Sequence, residues 1–225
     1  MYNCLFLNFF IGACLASHAC VIYDRFNTTN FLLSRSRCFN CNSELSILDE
    51  IPIISFLLLR GKCRYCKHEI SSSLFLFELF GSFSFVSVDF FSQDGLITVI
   101  FIFSLLVIAI FDFKEQEFPI ILLLLPTSVT LLVKGSMIFS YSLLDWLELI
   151  PTLLLMTFMV HRKKLGSGDL IIYMLIAVFF NPLFANTTLL VGSSLLVLQY
   201  LLSRKNEAYP FIPYIYLGMI CLLLI

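Results

Sequence analysis

Leu165-Gly166-Ser167-Gly168-Asp169-Leu170-Ile171-Ile172-Tyr173 sets a carboxylate directly behind a Gly-Ser-Gly turn, at the head of a strongly apolar run. The basic cluster His161-Arg162-Lys163-Lys164 precedes it. Two glycines free the backbone on either side of Ser167, and an ionisable group against hydrocarbon is costly, so by default Asp169 marks a functional site. Whether the run that follows is a membrane span or a soluble core decides the fold.

The rest of the chain answers that question. Its 225 residues are 60% hydrophobic and only 13% charged, with a mean hydropathy of +0.96. No soluble domain of this length is so apolar, and the composition predicts an all-α polytopic membrane protein. The net charge of −1 gives no basic field for a nucleic acid. A span needs roughly 20 apolar residues, and on that measure about eight transmembrane helices are expected. They cover residues 2–23, 74–91, 96–111, 118–133, 147–160, 168–184, 187–202 and 209–225. The fifth is weakened by Asp145 and Glu148, and the sixth by Asn181-Pro182.

No Lys or Arg precedes the first apolar run, and Arg25 follows it, which is the reverse of a secretory signal peptide. The expectation is an uncleaved first helix with its N-terminus outside. Alternating loops then place residues 24–73, 112–117, 161–167 and 203–208 in the cytoplasm, and these hold 13 of the 14 Lys and Arg, leaving only Lys134 outside. That bias is the positive-inside rule. The domain plan is a first transmembrane helix over 1–23, a cytoplasmic loop over 24–73 and a transmembrane core over 74–225.

The loop is too small for a hydrophobic core alone and needs a staple. It carries Cys38-Phe39-Asn40-Cys41 and Cys63-Arg64-Tyr65-Cys66, a spacing that offers four thiolates to one structural Zn2+. Arg37, Lys62, Arg64 and Lys67 flank the knuckles and would offset the thiolate charge. A pair of disulfides or a redox motif competes with this reading, but the expected cytoplasmic side is reducing. Cys4, Cys14, Cys20 and Cys221 lie in spans and read as small apolar filler. His18 and His68 are not needed as ligands.

Asp112 closes the third span and Asp169 opens the sixth, so both are expected at the cytoplasmic face at the same depth. Two carboxylates brought close cannot both ionise easily. They share a proton, which lets one accept a proton from water as the other donates to a peptide carbonyl. The competing reading makes each aspartate an interfacial helix cap. Glu115, Glu117, Asp145 and Glu148 are read as interfacial or solvated.

Gly166-Ser167-Gly168-Asp169 resembles the GxGD motif of intramembrane aspartic proteases, and the chain as a whole resembles the type IV prepilin peptidases. The likeness takes in both knuckles, Leu48-Asp49-Glu50-Ile51-Pro52-Ile53-Ile54-Ser55, the segment Arg60 to Ser71 and Glu78 in the second span. It continues through Asp112 seven residues before Pro119 to Pro210-Phe211-Ile212-Pro213 ahead of the last span. The resemblance implies Asp112 and Asp169 as the catalytic pair, Gly166 and Gly168 as their supporting motif, and Cys38, Cys41, Cys63 and Cys66 as zinc ligands. It also implies cleavage of the basic leader of prepilins or pseudopilins at the cytoplasmic face of a bacterial cell membrane, typically after a glycine. N-methylation of the new terminus by S-adenosylmethionine would follow. Small size and an AT-rich residue style resemble the Gram-positive competence-type members, which serve pilus-like protein secretion and DNA uptake. Ile171, Ile120 and Phe118 depart from the family pattern.

Two other functions fit parts of the sequence. One is a non-enzymatic zinc-stapled membrane assembly factor for pseudopili. The other is a proton-coupled transporter, although its acids would lie toward the midplane rather than at one face. The glycines of the motif are expected to leave room for a substrate backbone.

Overall fold

A computed structural model describes residues 2–26, 35–203 and 209–225. Its elements are α1 (Tyr2–Arg25), α2 (Ile54–Leu58), α3 (Ser72–Ser84), α4 (Gln93–Glu115), α5 (Leu124–Lys134), α6 (Leu143–His161), α7 (Ser167–Phe179), α8 (Pro182–Ser203) and α9 (Ile212–Leu223). Short 3-10 turns cover Ile47–Asp49, Ile120–Leu123 and Gly135–Ser140. Among the described residues there is no β-strand, only two isolated bridges.

An apolar helix stands at each of the eight expected places, and among the described residues five are long and apolar enough to cross a membrane. These are Leu5–Arg25, Gln93–Glu115, Ile120–Ser140, Leu143–His161 and Pro182–Ser203. The other three are shorter: α3 and α7 have 13 residues each and α9 has 12. At about 1.5 Å per residue they reach only about 20 Å. Local chemistry sets these lengths. Asn181 accepts the Phe184 N–H at 2.7 Å and Pro182 takes the first helical position, so a new helix starts where the sixth span was expected to continue. In α3 the helix gives way to turns after Ser84, and the Asn8 amide donates to the carbonyls of Val86 and Val88 beyond it. In α9 the prolines at 210 and 213 delay the start to Ile212.

The chain divides into two compact units, Met1–Phe90 and Phe91–Ile225. In the first, α1 packs along α3 through a face of Gly12, Ala13, Ala16, Ala19 and Cys20. A Cβ on Gly12 would lie 2.9 Å from the Ser82 carbonyl, so the backbones meet as in close-packed membrane helices. Phe9 meets Phe83 edge to face at 5.2 Å.

In the second unit α4 is the central element, buried at nearly every position from Phe101 to Asp112. A helix that is apolar all round belongs in a core. The α8 and α9 backbones pack closely, since a Cβ on Gly192 would sit 2.7 Å from the Tyr214 carbonyl. A polar chain ties three helices together: Tyr173 donates to the Asn186 side-chain oxygen at 2.8 Å, and the Asn186 amide donates to the Glu148 carbonyl at 3.0 Å. Asp145 is half-buried and closes a capping box with Ser142 at the start of α6.

Candidate functional site

The two aspartates are brought together by α4 and α7. Phe101, early in α4, stacks face to face on Phe179, at the end of α7, with ring centroids 4.0 Å apart. From that pin Asp112 lies eleven residues up α4 and Asp169 ten residues back along α7, which is about 16 Å and about 15 Å of helix. The antiparallel pair therefore delivers both carboxylates to one level, where Asp112 acts electrostatically on Asp169. Both are buried, at 8% and 9% exposure.

Each carboxylate is held by a backbone N–H. Asp169 Oδ2 accepts from Gly166 at 3.0 Å, the N-terminal cap of its own helix. Asp112 Oδ2 accepts from Ile212 at 3.1 Å, at the start of α9, a hundred residues away. Both groups thus do perform the capping of the competing reading, and Asp112 also acts electrostatically on Asp169. The contact with α9 gives Phe211-Ile212-Pro213 a role that sequence reasoning missed. The pattern was visible, but nothing in it named Asp112 as its partner.

Gly168 does not open onto free space. A Cβ built there would meet the Phe118 ring at 2.6 and 2.7 Å, so the glycine accommodates that ring. The expected room for a substrate backbone is taken by Phe118 in this structure.

In the first unit the four knuckle cysteines converge. Their sulfurs all lie within 4.8 Å of one another, with Cys38 and Cys66 3.8 Å apart. A tetrahedral ion with Zn–S bonds of about 2.3 Å needs sulfurs about 3.8 Å apart, so the donor set fits zinc. All four thiols are free, which removes the disulfide reading for this arrangement. The Cys41 thiol is drawn down to about 6, by the Ser43 hydroxyl and then by the Ser43 backbone N–H. Cys38 accepts from the Cys41 N–H, yet burial and the Cys63 and Cys41 sulfurs push it up to about 11. The knuckles form an internal repeat with an offset of 25 residues that sequence reasoning passed over. Bridges pair Arg37 with Glu44 and Lys62 with Glu69. Cys38 N–H donates to Ser43 and Cys63 N–H to His68, while Asn42 and Lys67 both adopt positive φ. Elsewhere Cys20 is buried and Cys14 and Cys221 are exposed, none of them in a disulfide, and the Cys4 side chain lies outside the described residues, as do Arg204 and Lys205.

Glu78 is a third buried acid, one that sequence reasoning quoted without a role. At 5% exposure it accepts the Ile53 N–H at 2.8 Å. Ile53 has φ 64° and ψ −53°, a tight γ-turn closed by the Ile54 N–H on the Pro52 carbonyl at 2.6 Å. For a β-branched residue that conformation is strained and needs a partner to hold it. Nearby, buried Asp49 is paired with Arg64 at 2.8 Å. Burial raises its carboxyl, but hydrogen bonds from Ser46 and Arg64 outweigh that and hold it below the usual range.

These features define a helical membrane protein with a four-cysteine cluster that could hold a metal ion in one unit and a buried carboxylate pair in the other. Residues 10–91 match the family model described as the bacterial peptidase A24 N-terminal domain. The match supports a peptidase of the prepilin-peptidase kind over the first unit, and Asp112 and Asp169 lie beyond it. No curated protein and no solved structure matches the chain.

Proposed function

We propose that the protein is a membrane aspartic endopeptidase that removes the leader of prepilins or pseudopilins at the cytoplasmic face of a bacterial membrane, with Asp112 and Asp169 as the catalytic pair. The observation that carries this reading is a pair of buried carboxylates, one near the end of α4 and one at the start of α7, close enough for Asp112 to act electrostatically on Asp169. The peptidase match over residues 10–91 adds independent support.

The chemistry follows from one shared proton. The ionised carboxylate takes a proton from water as the oxygen attacks the peptide carbonyl carbon, and the protonated carboxylate donates to the carbonyl oxygen. Collapse of the tetrahedral adduct breaks the C–N bond, and the departing amine takes a proton from the pair. Gly166 and Ile212 N–H groups fix the two side chains, so little reorganisation is needed at the moment of reaction. Cys38, Cys41, Cys63 and Cys66 would hold a structural zinc, which would supply folding energy to the loop.

N-methylation of the new terminus is a separate part of the proposal. A co-expressed precursor with a basic leader on an apolar helix tests both halves. Mass measurement of the mature product reads the cut and the methyl group together, and an unprocessed precursor would overturn the peptidase reading.

A further inference from the structure

The backbone around Phe118 is built to aim its ring. Gln116 ends α4 in the left-handed conformation, with its N–H bonded to the Asp112 carbonyl at 2.9 Å, so the chain turns sharply there. Pro119 follows and disfavours the helical region for the residue before it. Between these two constraints Phe118 folds back, half-buried, while residues 113–117 are exposed. Its ring lies on Gly168, against the face where any other residue would carry a Cβ.

Gly168 immediately precedes Asp169. Consecutive α-carbons are about 3.8 Å apart, so the ring seated on Gly168 lies one residue from Asp169. A peptide carbonyl presented to Asp169 would bring the side chain beside the cut bond toward that ring. We propose that Phe118 is a specificity-determining residue, an aromatic wall that limits the size of the substrate residue flanking the cleaved bond, and that Gly168 is a glycine in order to seat it.

This inference rests on the peptidase reading, and the test keeps the two apart. The probe is a set of co-expressed precursors, each with a basic leader on an apolar helix, differing only in the residue before the cut: Gly, Ala, Val or Leu. If the wild-type protein cleaves none of them, the peptidase reading fails. If it cleaves the small-residue members, Phe118→Ala should raise the ratio of Leu to Gly cleavage by at least about tenfold, the size of effect that pocket volume produces. Phe118→Leu, closer in volume, should fall between. An unchanged ratio in a properly inserted Phe118→Ala or Phe118→Leu variant overturns the inference while leaving the peptidase reading intact. Gly168→Ala alone should lower cleavage by displacing the ring, and adding Phe118→Ala should restore it to the level of Phe118→Ala. Failure of that rescue would show that Gly168 serves something other than the ring.

Discussion

Asp112 and Asp169 each accept a backbone N–H through Oδ2, so each is fixed by a helix start, in one case its own and in the other that of α9. Asp169 was legible as a candidate because it follows Gly-Ser-Gly at the edge of an apolar run, and Asp112 because it was expected at the same depth on the same face. The Ile212 partner was not legible, because a hydrogen bond spanning a hundred residues leaves no local trace in sequence. Glu78 illustrates the same limit. A lone glutamate in an apolar helix signals something, but not that it holds a strained turn at Ile53. Replacing Glu78 with Ala removes the acceptor and should release that turn, raising amide hydrogen exchange over residues 51–58. Glu78→Gln keeps an acceptor oxygen and should stay near wild type, whereas equal exchange in both variants would contradict the assignment.

At the scale of elements, apolar runs located all eight span-like helices but not every length, and the short α2 inside the 24–73 loop was not expected. The second, sixth and eighth spans were expected from hydropathy, yet α7 ends at Phe179 because Asn181-Pro182 starts α8. Hydropathy sums over a window, whereas caps act at single residues. The zinc knuckles show the converse, since the Cys spacing sufficed to bring four sulfurs to within 4.8 Å of one another. What the spacing concealed was the repeated backbone around them, because the two copies share few side chains beyond Cys and Glu. Purified protein should carry one zinc by elemental analysis, and a Cys38→Ser/Cys63→Ser double variant should lose it and become protease-sensitive across the loop. Retention of a full equivalent by the double variant would refute the site.

For the whole molecule, composition alone decided a helical membrane protein, and among the described residues five helices meet the length and hydropathy of a span. Orientation rests on charge. With 13 of 14 Lys and Arg expected on one side, reporter fusions in the 24–73 and 161–167 loops should report the cytoplasm and a fusion beside Lys134 the outside. The opposite pattern would move the aspartates to the wrong face for a cytoplasmic leader. Phe101 and Phe179 then explain why two aspartates 57 residues apart in the chain reach one level. No sequence rule predicts which pair of rings sets that register.

The most direct test is leader cleavage of a co-expressed precursor by Asp112→Asn and Asp169→Asn variants. Each substitution keeps the side-chain oxygen that caps a helix and removes the ability to exchange a proton. Both variants should insert at wild-type levels and lose at least about a hundredfold in cleavage, the lower bound for a general acid or base. Cleavage at the wild-type rate by either inserted variant would contradict the account.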